Sequence, residues 1–231
     1  MVVMLLGVKG WGQTREDSLF NAPKNWKKGF VFGLYGAYWP QDKLNDLLSG
    51  NNAGNVHFPK ISDVGMMGSF AMAYQYKKYR FVYGYEFMVK RNHDDNYKLE
   101  ERLGAWVMNV QYPIYRTKAL GISPEVGLGM MKKRFDIYAN DVPNNLGTVM
   151  ASRNAVNLFS HLYYLNLAMN VGLAYDEDMK DHWLQLMVGY KYCFAGTDWS
   201  SDDSKQTLSV SNHDYLRMAY VGLKINGFRI K

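Results

Sequence analysis

His161 stands beside Ser160, and His213 follows Ser211 and Asn212 and precedes Asp214. These are residue types of nucleophilic catalysis: a hydroxyl activated by an imidazole, with a third group to orient the ring. Such chemistry needs hydroxyl and ring within hydrogen-bond reach. Neighbours in a regular strand point to opposite faces, so Ser160 and His161 are not expected to pair. The remaining histidines, His57, His93 and His182, read as loop residues. The acidic clusters HDD (93–95), DEDMKD (176–181) and SSDDS (200–204) offer oxygen ligands of the kind Ca²⁺ takes. None has the EF-hand spacing, and polar turns are the expectation. The single Cys193 forbids an intramolecular disulfide and a cysteine-based zinc site, and its place in an alternating run makes it a buried thiol. GLGMMK (127–132) has two glycines but lies within a strand pattern, and no phosphate loop, GxSxG elbow or HExxH is present. No catalytic residue, metal or cofactor is expected.

The elements that would position these groups are strands. In YRFVYGYEFMVK (79–90) the odd positions are Tyr79, Phe81, Tyr83, Tyr85, Phe87 and Val89; the even ones are Arg80, Val82, Gly84, Glu86, Met88 and Lys90. Strict alternation means an extended strand with two chemically different faces. The pattern recurs in approximately 28–39, 66–76, 100–112, 119–135, 157–174, 182–195 and 214–228, which makes eight runs. A short helical turn in QDKLNDLLSG (41–50), with Leu44, Leu47 and Leu48, is the nearest thing to a helix. The connections at 40–65, 136–156 and 196–213 are long and polar, those at 77–78, 113–118 and 175–181 are short, and 92–99 is intermediate. Long and short alternate, so the long ones share one end. That layout, with an even strand count, fits an all-β, eight-stranded antiparallel up-and-down transmembrane barrel.

Volume sets which face points in. Eight strands enclose only enough space for their own side chains. The small and polar face fits that lumen; the large apolar face must point outward, and around a whole circumference its partner is lipid. The residues expected to face lipid include Tyr79, Phe81, Tyr83, Tyr85, Phe87, Leu165, Leu167, Leu184, Leu186, Val188 and Tyr190. The same parity sends Arg80, Glu86, Lys90, Glu125, Lys133, Lys191 and Arg217 inward as a charge network that must pair or be hydrated. Tyr38, Trp39, Tyr76, Tyr79, Tyr112, Tyr115, Tyr138, Trp183 and Tyr215 fall near strand ends, where interfacial girdles lie. Two strands are less clean. Tyr35 and Trp39 oppose Phe30, Phe32, Leu34 and Tyr38 in the first. In the last, Leu216, Met218 and Tyr220 conflict with Val221, Leu223 and Ile225, and a bulge near 220–222 would reconcile them.

Net charge is +6, but the basic residues are spread along the chain without a recognition helix or RNA-binding signature, so nucleic acid is not an expected partner. No run of 18 apolar residues occurs, and mean hydropathy is −0.32; alternating strands cancel such averages. The start, MVVMLLGVKGWGQ, reads as a signal-peptide remnant or N-terminal tail over 1–13, with a periplasmic segment over 14–26 and the barrel over 27–231.

The stretches GFVFGLYGAYW, SPEVGLGMM, NVGLAYDED and AYVGLKINGF alternate glycine and aromatic or apolar residues before turns. In this the chain resembles the small outer-membrane β-barrel proteins of Bacteroidota, the PorT-like group, and the OmpX, OmpW and OmpA transmembrane barrels. The resemblance covers about 27–231. It departs at the end: such barrels often finish on an aromatic residue, and here the last residues are GFRIK. The resemblance implies a Gram-negative outer-membrane location, contact with outer-membrane lipid including lipopolysaccharide, and a non-enzymatic structural or interaction role. Its long loops would be the partner surface, with an envelope protein complex as a candidate partner. Two alternatives stand beside it: a lipid-modifying barrel enzyme using His161 or His213, and a soluble lipocalin-like binder whose large apolar face lines a cavity.

Overall fold

The computed structural model describes residues 26–42, 45–46, 60–76, 78–93, 97–139, 156–177, 181–197, 199–201 and 217–227. Eight long antiparallel strands form the wall: β1 (Trp26–Tyr38), β2 (Val64–Tyr76), β3 (Tyr79–His93), β4 (Tyr97–Gln111), β6 (Gly121–Ala139), β7 (Val156–Asp176), β8 (Asp181–Gly196) and β10 (Arg217–Gly227). Each pairs with its sequence neighbour among the long strands, and β1 also pairs with β10, from Phe30 opposite Gly227 to Tyr38 opposite Ala219. That last pairing closes the sheet and removes its edges. Two short strands are additions: β5 (Tyr115–Arg116) folds back on β6 at the short-turn end, and β9 (Ser200–Ser201) lies on β7 at the long-loop end.

Among the described residues alternation runs along the wall, with register shifts only where β7 meets β8, at Tyr163/Tyr164 and over Gly172–Tyr175. In β3, Val82, Glu86 and Met88 are buried, whereas Tyr79, Phe81, Tyr83, Tyr85, Phe87 and Val89 are exposed. Leu167, Val188 and Tyr190 are exposed in the same way. Leu165, Leu184 and Leu186 have the outward parity but are half-buried among cross-strand neighbours such as Leu128, Ile225 and Leu223. The apolar surface is therefore on the outside around the whole wall, the pattern of a membrane-spanning barrel and the reverse of a lipocalin-like cavity.

The strands outrun their expected lengths at the long-loop end. β3 and β4 reach to His93 and back from Tyr97, and β6 and β7 to Ala139 and back from Val156. Strand thus extends into both ends of the connection expected over 92–99, and occupies both ends of 136–156. β10 runs in one continuous register against both β1 and β8, without a bulge at 220–222; Met218 and Tyr220 point in, and Val221, Leu223 and Ile225 point out. This moves Arg217 to the outer face, where it is exposed, so it is not part of the lumen network. Trp39 is also displaced from its expected girdle place: it is buried inside, against Gly65 and Met88. The short helical turn survives at Asp42 and Asn45–Asp46, where the Asn45 N–H donates to the Gln41 carbonyl at 2.8 Å. Residues 1–25, Leu44, Leu47, Leu48, His57, His213, Tyr215, Leu216 and the last four residues lie outside the described residues.

Candidate functional site

The lumen is filled by side chains that bridge it from opposite walls. At the short-turn end Arg80 pairs with Asp181, and Arg116 approaches the same carboxylate at 3.6 Å. Above them the Gln111 amide donates to Gln185 at 3.3 Å, joining β4 to β8. Next comes Glu125, which accepts hydrogen bonds from Lys224 (2.6 Å), Asn109 (2.7 Å) and Asn170 (3.1 Å). Asn109 in turn accepts from Asn166 at 3.2 Å, and Asn166 from the Tyr220 hydroxyl at 2.7 Å. The next level holds Glu86, paired with Lys191 and accepting the Tyr164 hydroxyl at 3.1 Å. Three rings surround the Lys191 ammonium, with the centroids of Tyr35, Tyr164 and Tyr220 at 5.6, 5.0 and 5.2 Å. Cation–π attraction and the carboxylate together compensate the loss of water.

These tyrosines fit because glycines face them. A Cβ on Gly129 would lie 2.2 Å from the Tyr164 ring, and one on Gly189 2.3 Å from the Tyr220 ring. The inner glycines of the sequence are the cavities into which large inner residues settle. Above the tyrosines an apolar layer of Met67, Met88, Leu103, Met131, Leu162 and Met218 closes the bore. At the long-loop end Glu101 lies 3.3 Å from Lys133 and 4.0 Å from Lys90. Gln41, from the first long connection, donates to Glu101 at 3.2 Å and accepts from Lys133 at 2.9 Å. Asn45 ties the described start of that connection to its described end, its side chain exchanging two hydrogen bonds with the Ile61 backbone at 2.8 and 3.0 Å. Ile61, Leu99, Phe135, Ile137, Leu158 and Trp199 form an apolar crown over it.

Six of the seven charges assigned inward by parity, Arg80, Glu86, Lys90, Glu125, Lys133 and Lys191, are in this column; Arg217 is not. They do not meet as one network. They are stacked in separate groups: Glu86 and Lys191 pair with each other, while Arg80, Glu125 and the two lysines Lys133 and Lys90 meet residues that sequence reasoning missed, Asp181, Lys224 and Glu101. Lys224 is legible once β10 is read without a bulge, since it alternates with Leu223 and Ile225. Glu101 alternates with Arg102 and Glu100 in a segment that sequence patterning leaves at the edge of a connection.

Ser160 and His161 fall on opposite faces, as expected from strand geometry. Ser160 is buried and donates to the Thr197 carbonyl at 2.9 Å, while the His161 ring stacks edge-on with Phe159. His182 is not a loop residue. It is buried at the short-turn end of the lumen against Gly121 and Gly172, and its backbone carbonyl accepts from Asn226 at 2.8 Å. Among the described residues no three His, Cys, Asp or Glu side chains are grouped to hold a metal ion. Cys193 is buried and free of a disulfide.

The outer face changes character up the β3–β4–β6–β7 wall, read by cross-strand rows. Tyr85, Trp106, Met130 and Tyr163 form one row. The next is Phe87, Gly104, Lys132 and His161; then Val89, Arg102, Arg134 and Phe159; then Arg91, Glu100, Asp136 and Asn157. Large apolar residues give way to charge within three rows. Glu100 and Asp136 are directly opposite each other, as are Arg102 and Arg134. Like charges so placed repel. They are relieved along each strand: Arg102 donates to Glu100 at 2.6 Å and Arg134 to Asp136 at 2.7 Å, with Arg91 on Glu100 at 3.0 Å. Burial pushes the Glu100 carboxyl up, but the hydrogen bonds and charges of Arg102 and Arg91 outweigh it and hold it below the usual carboxylate range.

No family model and no curated protein matches this sequence. Twelve chains of solved structures are similar in shape. They include the attachment invasion locus protein Ail of Yersinia pestis, crystallised with the heparin analogue sucrose octasulfate: 6% identity, 88% of this chain and 99% of that one, TM-score 0.47. A major outer membrane protein of Thermus thermophilus is 12% identical over 86% and 99% of the two chains, TM-score 0.48. Neisserial surface protein A is 11% identical over 88% and 98%, TM-score 0.36. At such identities and TM-scores these likenesses transfer no function; the fold stands on its own strand register.

Proposed function

We propose that this chain is an outer-membrane β-barrel of a Gram-negative envelope, with a structural or interaction role and no catalytic one. The observation that carries it is the pairing of a filled bore with an apolar exterior. Water-sized gaps remain around Glu86, Asn109 and Lys224, but ion pairs, tyrosines and the methionine layer occupy the bore in succession. A barrel with nothing to transport through its centre offers partners its rim. The long connections at 40–65, 136–156 and 196–213 are that surface, and they face the exterior, with the short turns toward the periplasm. A partner in an envelope protein complex would bind there. The outer wall, including Tyr79, Phe81, Tyr83, Tyr85, Phe87, Leu165, Leu167, Leu184, Leu186, Val188 and Tyr190, contacts lipid, and lipopolysaccharide is the outer-leaflet lipid it would meet. The narrower affinity, to the PorT-like barrels of Bacteroidota, rests on the glycine–aromatic strand style.

The test has two parts. Cell membranes are fractionated and the protein is run on gels with and without boiling. A detergent-requiring band whose mobility shifts on heating is expected; recovery from the soluble fraction overturns the membrane reading. The purified barrel is then placed in a planar bilayer, where no steady conductance is expected, and a stable open level overturns the filled-lumen reading. For the enzymatic alternative, lipid A from cells expressing the protein should have the same acyl pattern with and without His161→Ala.

A further inference from the structure

We infer that the outward face of β4 and β6 just above the apolar belt is a binding site for the phosphate of an outer-leaflet lipid headgroup. The inference rests on the membrane reading above and adds the site and the chemistry of its ligand. Among the described residues of these rows, Arg91, Arg102, Lys132 and Arg134 stand against two carboxylates, Glu100 and Asp136, so about two positive charges are left over on one small patch. The carboxylates hold the arginines by Nε. That fixes their orientation before any ligand arrives, which lowers the entropy cost of binding. Arg91 and Arg102 nevertheless remain 64% and 50% exposed. Held at Nε, Arg91 and Arg102 can present their terminal nitrogens as a fork, the geometry that suits a phosphate, while Arg134 already donates from one terminal nitrogen to Asn157 at 3.4 Å and adds its charge beside them. Glu100 and Asp136 relieve part of the repulsion between the juxtaposed Arg102 and Arg134, and a phosphate bridging the two guanidiniums would relieve it further.

Position selects a lipid over a dissolved anion. Two rows below Arg102 and Arg134 lie Trp106 and Met130, both exposed on the outer face, and Val89 and Phe159 share the arginines' own row. The cations are flush with the top of the hydrocarbon-facing band, at headgroup height, and not out on a loop. A headgroup there has its acyl chains alongside the aromatic wall, so one molecule satisfies both features.

The test uses the full-length protein in detergent, incubated with bisphosphorylated lipid A or with the same lipid after phosphatase treatment. Bound lipid is counted by native mass spectrometry. The wild type should retain the phosphorylated form with a preference of roughly tenfold to hundredfold, on about a tenfold effect for every one to two basic residues. Arg102→Gln/Lys132→Gln/Arg134→Gln should reduce that preference to within about twofold. Glutamine keeps a donor for Glu100 and Asp136, and heat-dependent gel mobility confirms that the variant is folded. Lys118→Gln, at the short-turn end where Lys118 pairs with exposed Glu177, should change nothing. No preference in the folded wild type, or a preference the triple variant keeps, overturns the site while leaving the membrane reading intact. Loss of binding on adding millimolar inorganic phosphate would show a site for dissolved anions and overturn the lipid assignment. A protein that gives no heat-shifted band fails at the membrane reading, and the site falls with it.

Discussion

The bore and the outer rim hold the same chemistry, carboxylates against cations, under opposite conditions. In the bore, Glu86 and Lys191, and Glu125 and Lys224, are paired one to one, nearly sealed from solvent and bridged from opposite walls. On the rim, Glu100 and Asp136 are shared among Arg91, Arg102 and Arg134, whose side chains are substantially exposed. The difference teaches what each arrangement is for. The low-dielectric middle of the bore cannot carry unbalanced charge, so the ions there are matched one to one, whereas at its two ends Glu101 serves both Lys133 and Lys90, and Asp181 both Arg80 and Arg116. On the rim the carboxylates are covered but their arginines reach water, so a surplus of positive charge is tolerated there, and a surplus is what attracts a ligand.

The comparison predicts a ranking of effects. The largest belongs to the bore. Lys191→Met leaves Glu86 buried and unpaired and should cost about 3–5 kcal/mol, while Glu86→Leu/Lys191→Met recovers most of that. Urea titration of the gel-mobility shift in micelles measures both; equal losses for the single and double variants would contradict a sealed pair. Next is the packing that surrounds it. Gly129→Ala drives a Cβ into the Tyr164 ring and should cost about 1–3 kcal/mol. The penalty should shrink when Tyr164 is Ala, and strict additivity would show that the ring is not confined by that glycine.

The rim should respond more weakly and through pH. The Glu100 carboxyl is held below its unfolded value, which is about 4.3. Its contribution is therefore present in full above that pH and is lost as pH falls through the lower folded value. The stability gap between wild type and Glu100→Gln should be constant from about pH 7 to about 5 and close below about 4; a gap independent of pH would remove the carboxylate from the account. Smallest is Arg91→Gln: the arginine is largely exposed and Glu100 keeps Arg102, so the change should cost about 0–1 kcal/mol and the loss should vanish in about 1 M salt. A larger, salt-insensitive loss would place Arg91 with the bore charges instead.

Much of this is legible in the sequence because strand parity is binary. Once Tyr79–Val89 are seen to alternate with Arg80–Lys90, faces follow for the whole strand, and volume decides which face is inside. Two kinds of feature are not legible. Partners across the bore depend on the stagger between strands, which no local pattern encodes, so parity can turn Glu125, Lys224 and Asn109 inward but cannot say that they meet. The expected strands stop short at 91, 100 and 135, where the outer face turns charged: at Arg91, Glu100, Arg102 and Asp136 the large-outside rule fails, though beyond those ends Leu99 and Ile137 keep the inner face apolar. Arg217 and Trp39 are misplaced for a related reason. Each is assigned by its neighbours' bulk in a strand where both faces carry large residues, and inner glycines make room for bulk that composition alone would send outward.

The inside–outside assignment underlies all of this, and tryptophan reads it directly. Trp106 is 49% exposed on the outer wall, while Trp39 is 1% exposed within the bore. Variants retaining one of these tryptophans, with the others changed to Phe, are reconstituted in vesicles whose acyl chains carry bromine. The account predicts strong quenching of Trp106 by the brominated chains and little of Trp39. Trp106 untouched by bromine but quenched by aqueous iodide would contradict it, and the apolar wall would have to face something other than lipid.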